Sequence, residues 1–576
     1  VETIALLLVV GVLLVIGASW LAPRLSVAAP IVLVVVGIGC SYLPGVPEVE
    51  IEPELILAIV LPPILYSAAV NVPVTDFRRN LRAISGLSVL LVLLSTVVVG
   101  FVLHLLLPTL PLAAAFALGA VVSPPDAVAA TSIGKRLGLP PRLVTMLEGE
   151  GLVNDATALV LLRSAIAAIG GGVSFGGIAG DFAFAVVVAI AIGLGVGLAT
   201  VWVRARLGQP TLTTAISFVV PFLAFFPAEA VGASGVLSVV AAGLVTGYKS
   251  ARHLSAQDRI SERLNWRTIQ LILENGVFLV MGFQLAALVD DVEHEHLSVL
   301  AAVGIGALVT LVLLAVRVVF VVPLIASLRR EERGVVDRER ELEERATAMR
   351  DRLEAAKDHP RYSSRRAEGF ERRVEMLGAD LRFVRDEGLG WRGGAVLAWS
   401  GMRGVVTLAA AQTLPHDVPL RPQLVLIAFT VALLTLVGYG TTLPLLIRRL
   451  GVRGPDADAT TAELTELMAT IVQAGADRLA SPELVRADGS AFEPRILADL
   501  AANRRRLSDQ LAANMAAQAV EQVTPSQEAY RIMLEAEQAA LLDARASGSY
   551  SSHVLERAQT VLDADLARAA GGGSLA

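Results

Sequence analysis

Three observations predict an all-α polytopic membrane protein of about thirteen transmembrane helices with a cytoplasmic helical tail. Of its 576 residues, 54% are hydrophobic and only 18% charged, where soluble domains carry about one quarter charged residues; the mean hydropathy is +0.64. The apolar residues gather in repeated runs of about twenty, the length that crosses a bilayer. The loops between runs alternate between basic and acidic. The lone Cys40 excludes an intrachain disulfide, and no cluster of Cys and His offers a zinc centre. The net charge of -6 says less than its distribution.

The first run, Glu2 to about Ala22, lacks a basic leader and exceeds a signal-peptide core in length, so it is expected to remain as a spanning helix. Further runs follow at 28–46, 53–72, 83–107, 110–133, 144–169, 178–203, 211–229, 233–248, 266–289, 297–323, 393–413 and 421–447. Loops after odd-numbered runs carry Arg24; Arg78, Arg79 and Arg82; Lys135, Arg136 and Arg142; Arg204 and Arg206; and Lys249, Arg252, Arg259 and Arg263. Loops after even-numbered runs carry Glu48, Glu50 and Glu52, or Asp290, Asp291, Glu293 and Glu295, and are nearly free of bases until Arg421. Because cytoplasmic loops are the basic ones, the N-terminus is expected outside and the C-terminus in the cytoplasm of a multi-pass cell-membrane protein. A miscounted span would scramble the alternation beyond it.

These runs divide the chain into a transport domain over 1–326 and 391–449, a charged cytoplasmic insert over 327–390, and a cytoplasmic helical tail over 450–576. The insert mixes both signs of charge at helical composition and reads as a solvated hairpin. The tail holds amphipathic stretches interrupted by Thr524-Pro525-Ser526. Neither carries a GxxxxGK[ST] phosphate loop, so an ATP-driven pump has no visible engine and no cofactor is expected.

An ionised side chain near the bilayer centre costs about 2.5 to 3.5 kcal/mol even on the lenient scale, which makes intramembrane charges candidates for function. Asp126 follows Pro124 and Pro125, which remove two backbone donors; a helix broken there and restarted at Pro125 would turn its positive end toward the carboxylate. Such breaks build midplane ion sites, although a proline kink capped by Asp126 has the same sequence. On the sixth run, Glu148 and Asp155 share one helical face and Glu150 and Asn154 an adjacent one. Glu148 lies nearest the interface. Asp155 is about 10 Å deeper by the helical rise, with no interfacial escape; a satisfied packing hydrogen bond is the rival reading. Glu274 is another acid within a run. Arg403 stays charged at any attainable pH and needs an anion or a wet cavity; Glu150 is its expected partner. Gly401 and Gly404 beside it permit close helix approach or unwinding. Arg163 and Arg317 are read as lying toward helix ends or cavities, where they can snorkel, and are given no mechanistic role.

Four segments, LPPILY at 61–66, SPPDAVA at 123–129, EGLVNDATALVL at 150–161 and GMRGVVTLA around Met402, occur in an order and spacing that resembles the NhaP/NHE-type sodium/proton exchangers of the monovalent cation:proton antiporter-1 family. The likeness spans the first 450 residues apart from the insert, and the tail segment beginning EAEQAALLDARAS is similar to a helical element of bacterial members. The resemblance implies inverted repeats, a homodimer, and two interrupted helices that cross near the membrane centre. It implies that Asp155 alternately binds cation and proton, that Asn154 stabilises the site, that Asp126 ligates or positions the ion at the crossing, and that Glu150 and Arg403 form a structural ion pair. Glu274 is implied as a contributor to the ion path. Many such exchangers have Thr, Ser or Val before the helix-break acid and Pro after it, whereas Pro125 precedes and Ala127 follows Asp126 here. Ser123 or backbone carbonyls are then left to supply oxygens. The insert is longer than the usual connection.

The expected function is secondary antiport of Na+, with Li+ or K+ as further candidates, against H+. Hard cations take oxygen ligands, and a buried carboxyl tuned by desolvation and nearby cations can hold either ion. An Asn before the Asp goes with electroneutral exchange in the resembled family. The expected partners are monovalent cation, proton and lipid, with no nucleic acid. A potassium/proton exchanger, a cation channel with an acidic pore and a membrane sensor signalling through the tail remain as rivals.

Overall fold

The computed structural model describes residues 2–22, 24, 27–43, 52–169, 175–295, 298–355, 364–454, 457–481, 484, 490–503, 506 and 537. The acidic Glu48 and Glu50, the Thr524–Ser526 break and, apart from Glu537, the tail segment resembling bacterial members lie outside these residues. Contacts divide the chain into two compact units, 1–453 and 454–576. The described part of the second unit holds one long helix, Ala457–Leu479.

The first unit is all α among the described residues. Its elements are α1 Glu2–Leu21, α2 Ala29–Ser41, α3 Pro53–Asn71, α4 Leu81–Leu106, α5 Leu112–Val122, α6 Ala127–Arg136, α7 Pro141–Ile169, α8 Phe175–Leu207, α9 Pro210–Ala230, α10 Gly235–His253, α11 Ala256–Phe283, α12 Leu285–His294, α13 Val299–Arg333, α14 Val335–Ala355, α15 Ser364–Asp386, α16 Trp391–Trp399, α17 Val405–Gln412 and α18 Arg421–Leu450. Nine stretches among the described residues are long and apolar enough to cross a membrane, and three shorter apolar helices accompany them. Their lipid-facing surface is greasy, with side chains such as Leu8, Val187, Leu300 and Val319 exposed. That pattern fits a solvent of acyl chains, since in water exposed leucines would not be gathered so densely.

Proline chemistry decides where the spanning helices deviate. In α3, Pro62 and Pro63 cannot donate to the carbonyls one turn earlier, and the helix widens to a π turn over Ile56–Val60 just before them. Between α5 and α6, Pro124 and Pro125 withhold two donors and the helix parts altogether; Asp126 takes an extended conformation (φ -83°, ψ 121°) and caps α6 by accepting from the Val128 N–H at 2.8 Å. A second break, Ser400–Gly404, separates α16 from α17.

The two breaks meet. The Asp126 N–H donates to the Met402 carbonyl at 2.5 Å, so an unpaired donor of one break satisfies an unpaired acceptor of the other. A Cβ on Gly404 would collide with the Asp126 carboxylate, which is why this position has none. The interrupted helices pack with α4, α7, α13 and α18 as one bundle, while α2 lies along α11 and α10 lies against α3 and α8 in a second. At the α2–α11 contact, Gly37 and Gly282 let backbone approach backbone.

Helix α13 runs on to Arg333, past the 323 end of its apolar run, and leads into the hairpin α14–α15. That hairpin, read from the sequence as solvated, is exposed on much of its surface and touches the segment before α4 through α15. Asp380 pairs with Arg79 at 2.7 Å and Arg78 at 3.4 Å, and Phe383 lies under the guanidinium groups of Arg79 and Arg142 at 4.8 and 5.5 Å.

Candidate functional site

A cavity of about 660 Å³ opens between α3 and α11 on one side and α6, α7 and α17 on the other. Asp126, Asp155 and Glu274 all line it. Asp155 reaches it because α7 packs tightly against the start of α6: at Gly151, one turn before Asp155, a Cβ would meet that of Ala127 at 2.5 Å. Asp126 reaches it as the cap of α6, with Gly404 at the head of α17 pressed against its carboxylate. The carboxylate therefore sits at the N-terminal ends of two half-helices, where backbone N–H groups and the helix dipole favour negative charge.

The sixth-run residues divide by face. Glu148 and Asp155 line the cavity, while Glu150 and Asn154 are turned away and buried. The Asn154 amide donates to the Pro125 carbonyl at 2.5 Å, replacing a bond lost to the proline break. Its Oδ1 is buried with no hydrogen-bond partner. Glu148 pairs with Lys135 at 2.6 Å at the mouth of the cavity. Glu274 accepts from Gln270 at 2.5 Å, and Gln270 in turn accepts from the Ser67 hydroxyl at 3.0 Å, so the acid is held by a chain spanning α3 and α11.

Two sequence expectations need correction. The first is the partner of Arg403. Glu150 is engaged by Arg317, with Nη1 to Oε1 at 2.5 Å and Nη2 to Oε2 at 2.8 Å, both side chains almost wholly buried. Arg317 also donates to the Leu397 carbonyl, tying α7, α13 and α16 together. Arg403 instead donates to the carbonyls of Val122 at 3.1 Å, Ser123 at 3.3 Å and Gly401. These oxygens end α5 and α16, where carbonyls lack intrahelical donors and the dipole is negative. Two broken helices thus supply the partial negative charge a carboxylate was expected to bring. Arg317 was misread because the apolar run was taken to end near it, whereas it lies mid-way along the 35-residue α13.

The second is Ser123. Its hydroxyl donates to the Gly119 carbonyl at 2.6 Å, accepts from Thr96 at 3.3 Å, and does not line the cavity. A serine one turn past a free helical carbonyl satisfies that carbonyl first. Thr131 and Thr407 do line the cavity and were not singled out by sequence reasoning, since hydroxyls are common in membrane helices.

The arrangement opens a cavity onto two carboxylates at a crossing of interrupted helices, with oxygen ligands suited to a hard monovalent cation and groups able to hold a proton. Comparison with known proteins agrees with this chemistry. Residues 9–449 match the family model described as sodium/hydrogen exchanger, transmembrane. The chain is 28% identical over 491 residues to an uncharacterized Na(+)/H(+) exchanger of Mycobacterium bovis, covering 82% of this chain and 81% of that one. It is 30% identical over 312 residues to the sodium, potassium, lithium and rubidium/H(+) antiporter of Bacillus subtilis, covering 51% and 45%. The fold is similar to that of the sodium proton antiporter MjNhaP1 from Methanocaldococcus jannaschii, with a TM-score of 0.54 at 15% identity over 78% of this chain and 98% of that one.

Proposed function

The chain belongs to the sodium/hydrogen exchanger family, and we propose that its exchange takes place at the crossing of the two interrupted helices, with Asp155 holding cation and proton in turn. The protein is a secondary active Na+/H+ antiporter of the membrane that works by alternating access, a transporter and not an enzyme. The observation that carries the site assignment is that Asp155 and Asp126 line one cavity between the two bundles, beside the break.

In this reading Asp126, carried on α6, helps to ligate the ion, Asn154 braces the break, and Glu274 contributes to the ion path from the other bundle. Competition is the coupling. The loaded bundle moves with either ion bound and moves poorly when Asp155 is empty and charged, because a bare carboxylate is costly to carry through hydrocarbon. One cation then crosses for one returning proton, and exchange is electroneutral. Rocking of one bundle against the other moves the aqueous opening from face to face.

The nine long spans, the three shorter apolar helices and the interrupted α16–α17 make up the thirteen crossings of the proposal, arranged as inverted repeats in which α5–α6 and α16–α17 correspond. In this reading the N-terminus lies outside, and the insert, the tail and the cavity mouth lie in the cytoplasm, which the basic loops support. The working unit is a homodimer. A broader cation range, including K+ and Li+, is the second reading, favoured by the likeness to the sodium, potassium, lithium and rubidium/H(+) antiporter.

Proteoliposomes with an imposed Na+ gradient and clamped voltage test the proposal: lumenal pH is expected to change, with Na+, Li+ and K+ compared as counter-ions. Asp155→Asn is expected to abolish the change while the protein remains folded. Normal exchange by that variant refutes the site, and sodium current without proton movement refutes antiport.

A further inference from the structure

Every basic side chain lining the cavity is exposed, and every acid lining it is half-buried. Asp126, Asp155 and Glu274 are the deep ones; Lys135, Glu148, Arg263 and Arg267 surround the mouth. Glu148 to Asp155 and Arg267 to Glu274 are each seven residues of helix, about 10 Å. Lys135 ends α6 and pairs with Glu148 at 2.6 Å. Arg263 and Arg267 are exposed, one turn apart on α11, and among the described residues neither is in an ion pair. Arg259, a further turn back, adds the same sign, while the neighbouring Glu262 is neutralised by Arg204 at 2.6 Å. Among the side chains that line the opening, the three cations Lys135, Arg263 and Arg267 against the one anion Glu148 leave two surplus positive charges where a cation must pass.

Clefts that gather a charged substrate are lined with the opposite sign. This mouth carries the substrate's own sign. We infer that Arg263 and Arg267, beside the mutually neutralised Lys135–Glu148 pair, form an electrostatic barrier whose positive potential reaches the carboxylates about 10 Å below, so that it weakens cation binding from this side of the membrane and makes the exchange kinetically asymmetric. The inference rests on the antiport reading above. Two charges within a Debye length of the path lower the local cation concentration on the order of three- to tenfold at low ionic strength, and salt erases the effect.

Protons are repelled by the same potential. Where protons compete strongly, the apparent constants for both ions move together and the effect on the Na+ constant cancels; at alkaline pH, where Na+ binds an empty site, the whole effect appears. The barrier therefore shows itself at high pH and low salt, and on one face of the membrane.

The test is sided Na+/H+ exchange in oriented proteoliposomes. Arg263→Gln combined with Arg267→Gln is expected to lower the KM for Na+ presented at the mouth three- to tenfold at alkaline pH and low ionic strength, with KM from the opposite face unchanged and the difference vanishing at high salt. Arg263→Lys with Arg267→Lys keeps the charge and is expected to keep the parent KM. Lys135→Gln with Glu148→Gln removes one charge of each sign, leaves the surplus at two, and is expected to leave KM in place. An unchanged KM in the double glutamine variant, a change that persists at high salt, or a lysine variant that behaves like the glutamine one overturns the barrier. Normal exchange by Asp155→Asn, measured alongside, would strike the antiport reading instead, so the two failures are told apart.

Discussion

At the scale of single residues, the helix crossing is a problem of charge placed where water is scarce, solved twice with opposite signs. Asp126 rests on the N-terminal ends of α6 and α17, and Arg403 fills the C-terminal ends of α5 and α16. Each charge answers a pair of half-helix dipoles. Gly404→Ala tests how closely the carboxylate is held, because the added methyl occupies the space of the Asp126 carboxylate. Exchange is expected to fall at least tenfold in liposome flux assays, since displacement by about 1 Å at a reacting site costs on the order of a hundredfold. The Glu150–Arg317 pair makes a separate prediction. Arg317→Met leaves a buried carboxylate unpaired and is expected to cost about 3 to 5 kcal/mol, read as a lower melting temperature in detergent. Adding Glu150→Leu removes the orphaned charge, and most of the loss should return. A melting temperature that stays low in the double variant would mean that the pair acts through packing and not through charge.

At the scale of elements, the hairpin α14–α15 shows what sequence could and could not reveal. Its helices, its charge and its place after α13 were legible, because composition and period report local structure. Its docking was not, because nothing local marks Asp380 as the partner of Arg78 and Arg79, some 300 positions earlier. The same holds for Arg317 and Leu397, whereas the α5–α6 break was readable from two adjacent prolines that act on their own backbone. Further contacts hold the root of the hairpin rather than its helices: Arg82 on α4 meets Glu331 near the end of α13, and just past α15 the Glu387 carbonyl accepts from Arg142 at 2.8 Å and the Leu389 N–H donates to Glu332 at 2.7 Å. Asp380→Arg places three like charges together and is expected to release α15, measured as faster amide hydrogen exchange across Ser364–Asp386. Combination with Arg79→Asp should restore part of the protection; the pair is partly exposed, so the restored share is roughly 1 kcal/mol or less. Glu387 adds a pH dependence. Burial, and then the nearby Asp76, push its carboxyl above the ordinary range, against the pull of Arg142 and Arg79. In the window between the unfolded value and this raised one, the folded form binds more protons than the unfolded form, so docking weakens as pH rises through the window and is firmest at its acid end. Hydrogen exchange of the hairpin should follow that sign, and Glu387→Gln should flatten the dependence.

At the scale of the whole molecule, the two bundles divide the labour of the site. The α6–α7–α17 side brings Asp126 and Asp155, and the α3–α11 side brings Glu274 on its Gln270–Ser67 support. A cation in the cavity therefore faces carboxylates from both bundles, and any rocking that separates them must hand the ion to one side. The chain's own composition makes this movement observable. Its single cysteine, Cys40, lies on α2 and does not line the cavity; with Cys40→Ser, a lone thiol at any cavity position becomes a clean reporter. Ala68 lines the cavity on α3 and is half-buried. Ala68→Cys is expected to react with a membrane-impermeant thiol reagent in inside-out vesicles, because in the proposed orientation the basic loops and the cavity mouth share the face exposed there. In right-side-out vesicles the same thiol should label more slowly by at least tenfold, since access requires the opposite state of the alternating cycle. Equal labelling from both faces would mean a pore continuous through the membrane, which dissipates an ion gradient instead of coupling it to a proton; faster labelling from outside would invert the orientation assigned from the loops.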